Sequence, residues 1–204
     1  VIGQCCEDSS VERGPRQSAA TEGESDTHPT ILTPTGKNAE MQIRTATAHD
    51  APVVRSIIHE VYVDGGWADP RRSPAYVAEL LDAEARIAGA TVLVAEDDSG
   101  AVGTATATEA PSPLANIARP GELEVRMLGV IPPARGKGVA RALMGWCEAL
   151  AAQRGRHAVV LTTEPTMTEA RRLYEGLGYA RTPQRDWTIN GVGLITYRRD
   201  LGGT

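Results

Sequence analysis

Two glycines and two cations stand together at Arg135-Gly136-Lys137-Gly138, between an apolar run, Glu122 to Ile131, and a helical pattern from about Gly138 to Arg154. Glycines let a backbone turn tightly and let a ligand approach it. The unsatisfied amides that open the helix then point at one spot, where the helix dipole adds partial positive charge. Such a place suits an anion, best of all a phosphate or pyrophosphate. Three phosphate-loop patterns compete for these residues. The ATP-binding loop needs Gly-Lys-Ser/Thr, and Lys137 is followed by Gly138, so that reading fails. The dinucleotide fingerprint needs a third glycine where Arg141 stands, and the loop lies late in the chain, which makes that match weak. The third, Arg/Gln-x-x-Gly-x-Gly/Ala, is met at every fixed position by Arg135, Gly138 and Ala140. An ordinary strand-to-helix turn is the bland reading of the same residues.

The elements around this loop alternate. Patterned sequence begins at Met41, with a short strand at 42–45. Asp50 reads as a helix cap, after which Val53, Val54, Ile57, Ile58 and Val61 share a helical face, broken by Gly65-Gly66. Ser73-Pro74 opens a second helix with the stripe Val77, Leu80, Leu81, Ala85. Strands at 91–96 and 101–109 form a hairpin about Asp97 to Gly100, and Pro111 to Pro120 is a loop. After the strand at 122–131 comes the long helix, with Val139, Leu143, Trp146/Cys147 and Leu150 buried, and then a continuous apolar strand at 158–163. Thr166 to Glu169 reads as a capping box for a helix with the face Ala170, Leu173, Tyr174, Leu177. A final antiparallel pair, 179–187 and 192–199, turns at Asn190-Gly191. Strands that first meander and are then separated by helices predict an α+β domain with a mixed sheet.

In this setting the chain resembles the GNAT superfamily of N-acetyltransferases, whose acyl-CoA signature is the third pattern. The segment before it, Glu124-Val-Arg-Met-Leu-Gly-Val-Ile-Pro-Pro133, is similar to that family's fourth strand and following turn. The segment Ala170-Arg-Arg-Leu-Tyr-Glu-Gly-Leu-Gly-Tyr179 is similar to its Ala-x-x-Leu-Tyr-x-x-x-Gly-Phe/Tyr motif. The likeness spans about 42–200, with the sharp motifs in the second half. It implies a GNAT fold over 41–202: a mixed, mostly antiparallel twisted sheet with helices on both faces. It implies acetyl-CoA as co-substrate. The pantetheine arm would enter a gap between the fourth and fifth strands and pair with the backbone of Leu128, Gly129 and Val130. The amides of Arg135, Gly136, Lys137, Gly138, Val139 and Ala140 would wrap the pyrophosphate.

The resemblance also implies catalytic roles. Glu124 stands where the family often carries its general base, taking the amine proton directly or through a water; its alternative is a strand residue paired with Arg126, with which it shares a face, and Glu122 is a nearby substitute. Tyr174 matches the tyrosine that many members place beside the CoA sulfur, where a phenol protonates the leaving thiolate; its alternative is a core tyrosine. The chain departs from the family at Met167, where many members carry an Asn that helps hold the pantetheine. The stretch with Trp67, Asp69, Arg71 and Arg72 corresponds to the acceptor side, as a selectivity loop or simply as a polar loop. The acceptor implied is a primary amine on a small molecule or a peptide, served by direct transfer in a ternary complex. A non-catalytic acyl-CoA sensor is the other class of function, and dimerisation through the last strands is common in such folds.

Composition narrows the field. With no Phe, 4% aromatics and 41% hydrophobic residues, the core must come from Val, Leu, Ile and Ala. A net charge of −5 argues against a nucleic-acid partner, including an aminoacyl-tRNA substrate. Cys5, Cys6 and Cys147 have neither disulfide nor zinc spacing, His59-Glu60 lacks the second His of a zinc-protease pair, and no metal is expected. No apolar stretch is long enough to span a membrane and no signal-peptide core precedes the domain, so no membrane partner and a cytoplasmic location are expected. Residues 1–40, rich in Ser, Thr, Glu, Gly and Pro, read as a disordered extension, with Met41 as a candidate true start.

Overall fold

The computed structural model describes residues 41–189 and 191–202. The expected disordered extension and Asn190 of the expected turn lie outside the described residues. Strands β1 (Gln42–Thr45), β2 (Thr91–Asp97), β3 (Gly100–Glu109), β4 (Glu122–Val130), β5 (Ala158–Thr163), β6 (Ala180–Arg181), β7 (Trp187–Ile189) and β8 (Val192–Asp200) form one sheet in the order β1-β2-β3-β4-β5-β8-β6, with β7 paired to β8. Of the described pairings only β4 with β5 is parallel. The helices are α1 (Ala51–Ile58), which widens into π geometry over His59–Asp64, then α2 (Pro74–Leu81), α3 (Ala83–Gly89), α4 (Val139–Gln153) and α5 (Thr168–Gly176). This is the α+β architecture with a mixed, mostly antiparallel sheet.

Two glycines on neighbouring strands show how the helices take opposite faces. A Cβ on Gly103 of β3 would stand 2.9 Å from Val139 Cγ1 and 3.3 Å from Leu143 Cδ1, both on α4. A Cβ on Gly129 of β4 would instead meet Ile57, Ile58 and Val61 of the first helical segment. Under α4 the sheet presents Leu123, Val125, Val159 and Leu161 to Leu143, Met144 and Cys147. The other face buries Ala51, Val54, Ala83, Val92 and Val94 in one cluster and Ile58, Val77, Leu80 and Met127 in a second.

Four local expectations change. Val53 is only half-buried, because the buried stripe of α1 runs through Ala51, Val54, Ile57 and Ile58. The single helix expected from Pro74 is two: Asp82 breaks it and its carboxylate caps the Ala85 amide at 2.9 Å. That break shifts the helical phase, so Ala83 and Arg86 are buried and Ala85 is exposed. The capping box at Thr166 does not form; α5 starts at Thr168 with Met167 as its cap residue. The first arm of the last hairpin divides into β6 and β7 around a turn at Pro183–Arg185, where proline offers no N–H to a ladder.

β4 carries the feature that shapes everything nearby. Arg126 opposes Thr106 and Gly129 opposes Thr104, so β4 spends one more residue than β3 over this stretch. Such a bulge bends and twists its strand. Met127 sits in it at φ 51°, a left-handed conformation that costs a side-chain-bearing residue about 1–2 kcal/mol. Burial among Ile58, Val77 and Leu80, with the Arg86 guanidinium against its sulfur, holds it there. Gly103 gives a direct test of the packing on the opposite face. Gly103→Val forces side-chain atoms into Val139 and Leu143, and urea unfolding is expected to show a loss of about 1–3 kcal/mol, the usual cost of overpacking a filled core.

Candidate active site

β4 and β5 pair from Glu122–Ala158 to Val125–Leu161 and then part. A cleft of about 690 Å³ opens where they separate. At one end lies the glycine loop. Gly136 and Gly138 have φ of 74° and 86°, conformations that disfavour any residue with a side chain. Nothing lies within 4 Å of where a Cβ would stand on either, so their backbone is open to a ligand. α4 starts at Val139 with no side chain capping its first amides. That bare helix start, with Ala134, Arg135, Val139, Ala140 and Arg141 around it, fits a pyrophosphate.

Most of the expected cofactor residues come together here. Leu128, Val130, Arg135, Gly136, Gly138, Val139 and Ala140 line the cleft; Gly129 and Lys137 do not. Gly129 is turned toward α1. The open carbonyls of β4 are held by the protein's own side chains: Tyr62 Oη donates to Leu128 O at 3.1 Å, and Arg135 Nε donates to Val130 O at 3.1 Å. Each carbonyl keeps a second lone pair for a ligand. Met167 also lines the cleft, its sulfur accepting from Thr163 Oγ1 at 3.3 Å.

Tyr174 of α5 reaches the cleft from the α4 side. Its ring packs at 6.2 Å from that of Tyr179 and 5.9 Å from that of Tyr197. Among the described residues its hydroxyl has no hydrogen-bond partner. Burial, with Tyr197 nearby, pushes its pKa well above that of an ordinary phenol, so it stays protonated at neutral pH.

Glu124 is placed differently from the expected base. It is 1% exposed and does not line the cleft. Its Oε2 accepts the amides of Asn116, Ile117 and Ala118 at 2.9, 2.8 and 3.0 Å, and its Oε1 is 3.9 Å from Arg126 Nε. Direct contact with an acceptor amine is therefore closed, and the carboxylate serves as the anchor of the loop between β3 and β4. Burial raises its pKa in spite of those amides. Glu122, the nearby substitute, is taken up by Arg185 at 2.8 Å and Arg198 at 3.2 Å.

Away from the glycine loop the cleft is also lined by Tyr62, Trp67, Tyr76, Arg126, Glu164 and Trp187. From the expected acceptor loop, Trp67 reaches the cleft, whereas Asp69 bonds the Arg71 amide at 2.8 Å and pairs with Arg72 at 3.5 Å, away from it. The sequence reading missed Tyr62 and Glu164. Tyr62 follows buried Ile58 by four residues, so helical spacing was the available signal. Glu164 is the first residue past β5, and outward alternation from Val160 and Thr162 was its signal. Cys147 is fully buried with its thiol pushed up to about 12 by burial, which makes it core and not nucleophile. Among the described residues no group of three or more His, Cys, Asp or Glu is placed to hold a metal, and no helix is long and apolar enough to cross a membrane.

The family model described as Acetyltransferase (GNAT) family matches residues 54–179. Among solved structures, a GNAT-family acetyltransferase of Staphylococcus aureus Mu50 aligns with TM-score 0.61 at 13% identity, over 79% of this chain and 99% of that one. The yncA protein of Salmonella typhimurium, solved with its cofactor acetyl-CoA, aligns with TM-score 0.58 at 23% identity, over 82% and 96%. The paia N-acetyltransferase of Thermoplasma acidophilum, in complex with coenzyme A, aligns with TM-score 0.61 at 14% identity, over 76% and 97%. No curated protein matches this chain significantly.

The placement of Glu124 sets a stability test. Glu124→Ala orphans three amides in a buried site and is expected to cost about 1–3 kcal/mol in denaturant unfolding. Glu124→Gln, which keeps an accepting oxygen, is expected to lose less. Equal losses for the two would contradict the anchor role.

Proposed function

The chain belongs to the GNAT acetyltransferase family, and from that premise we propose that it transfers the acetyl group of acetyl-CoA to a primary amine of a small molecule or peptide, in a ternary complex. The observation that carries this reading is the continuity of one cleft from the bare start of α4, through the gap between β4 and β5, to the aromatic wall at Trp67 and Tyr76.

Acetyl-CoA supplies an activated acetyl group: the thioester C–S bond is exchanged for an amide C–N bond, the amine loses a proton and the thiolate gains one. The amides from Gly136 to Ala140 would hold the pyrophosphate, with Arg135 turning from the Val130 carbonyl to join them. The backbone of Leu128 and Val130 would pair with the pantetheine arm in the manner of an added strand. Tyr62, already on the Leu128 carbonyl, fixes that stretch of β4. Tyr174 is the proposed acid. Its side chain lines the cleft, and its raised pKa keeps the phenol protonated until the thiolate needs a proton. A non-catalytic acyl-CoA sensor draws support from one observation, the withdrawal of Glu124 into the loop anchor.

A thiol-release assay with acetyl-CoA and a panel of amino acids, polyamines, aminoglycosides and peptides separates the two. Acetyl transfer predicts release above background with at least one acceptor. Measurable CoA binding with no release from any acceptor favours the sensor. With a working acceptor, Tyr174→Phe is expected to lower kcat about 10²–10⁴-fold while leaving CoA affinity unchanged. Unchanged turnover in that variant ends the acid assignment.

A further inference from the structure

The two charged groups on the acceptor wall are not paired with each other. On β4, Leu123 and Val125 face α4, which turns Glu124 and Arg126 to the opposite side. On β5, Val159 and Leu161 face α4, which turns Val160, Thr162 and, one step beyond the strand, Glu164 to that same side. Arg126 and Glu164 both line the cleft, one from each of the parted strands. The phenol of Tyr76, from α2, lies within electrostatic reach of both.

Arg126 is a half-committed cation. Its Nη2 meets Glu79 Oε1 at 3.0 Å, its Nη1 donates to the Leu114 carbonyl, and its Nε stands 3.9 Å from Glu124 Oε1. Guanidinium carries five N–H groups, so donors remain. Its side chain is 12% exposed, whereas that of Glu79 is 46% exposed and free to turn to water. Behind Met127, Arg86 adds a second positive charge: it is buried, its Nη2 has no partner, and it makes no ion pair among the described residues. Glu164 is half-buried, holds only Thr166 Oγ1 at 3.4 Å, and is likewise without an ion pair among the described residues. Arg86 and Glu164 are thus charges withdrawn from water without an ion pair among the described residues, which is costly, and a ligand of complementary charge reduces that cost, while Arg126 keeps donors for a further carboxylate.

We propose that the acceptor is a free amino acid with an apolar side chain, its carboxylate on Arg126 and its ammonium on Glu164. The assignment rests on the acetyl-transfer reading above and narrows it, because a polyamine offers no carboxylate to the remaining donors of Arg126 and a peptide N-terminus carries no carboxylate beside its amine. Leu80, Ile189 and Leu194 line the same cleft as Trp67 and Trp187 and offer apolar surface to the side chain. Glu164 also supplies the missing proton acceptor. Its carboxylate takes one proton from the ammonium, giving a neutral amine and a neutral carboxyl group. The amine nitrogen then forms the C–N bond and sheds its second proton as the C–S bond breaks, and the thiolate takes a proton from Tyr174. The proton shed by nitrogen restores Tyr174, and the one on Glu164 leaves to solvent.

Isothermal titration of the protein saturated with CoA, which cannot transfer, tests the pocket apart from the reaction. The probes are L-phenylalanine and L-leucine, their decarboxylated partners 2-phenylethylamine and isoamylamine, and 3-phenylpropionate. At least one amino acid is expected to bind at least about tenfold tighter than both its amine partner and the propionate. Arg126→Gln should remove the advantage over the amine. Because Arg126 also ties the β3–β4 loop, Glu164→Gln is the independent variant: it should weaken the amino acid about tenfold and leave 3-phenylpropionate unchanged. An amine that binds as tightly as its amino acid, or no saturable binding by either amino acid, overturns the proposal. The same mixtures with acetyl-CoA keep the two readings apart. Amino-acid binding without thiol release upholds the pocket and sinks acetyl transfer, while thiol release from amines without amino-acid binding does the reverse.

Discussion

Backbone groups in a strand need partners, and a parallel pair supplies them only while the strands stay side by side. β4 and β5 stay together for four residue pairs and then separate after Val125 and Leu161. The site depends on that separation. It exposes a length of β4 edge inside the domain, where an unpaired edge is a place for another extended chain to bind. The bulge at Met127 stands at the start of the exposed length, and its φ of 51° is a conformation the surrounding packing must enforce. Ile58, Val77 and Leu80 supply that packing from the same helices that bring Tyr62 and Tyr76 to the cleft. One cluster thus sets both the strand's distortion and the aromatic wall of the cleft.

Charge is distributed to match. At the α4 end no acidic side chain caps the helix start, so its dipole and amides stay available to an anion. On and behind β4 and β5 the carboxylates divide the work. Glu124 gives its oxygen to three amides and fixes the β3–β4 loop, Glu122 ties that loop's base to Arg185, and Glu164, like Glu169 on α5, lines the cleft without an ion pair among the described residues. A buried carboxylate that satisfies several backbone donors is a structural group, since moving it would orphan all of them.

Much of this was legible in the chain. The loop Arg135–Ala140 is local, and a glycine-rich turn before a helix means the same thing wherever it falls in space. Tyr174 could be placed for the same reason, through the helical face it shares with Ala170 and Leu173. The anchoring role of Glu124 was hidden because it is set by residues 116–118, which fold back over it through a loop without periodicity. Arg86 went unnoticed because the Asp82 cap shifts the helical phase, and nothing in Ala83-Glu-Ala-Arg86 states which side will be buried. Glu164 was hidden by lying past the end of its strand, where alternation alone cannot say whether a side chain meets solvent or a neighbouring helix.

The central claim is that the parted edge of β4 and the bare start of α4 form one continuous site for acetyl-CoA. Amide hydrogen exchange with and without acetyl-CoA tests it most directly, because it reads those backbone groups one by one. The account predicts added protection confined to two stretches, Met127 to Val130 and Gly136 to Arg141, with little change on the β1–β2 side of the sheet. Saturable binding of acetyl-CoA with no change in either stretch would contradict it.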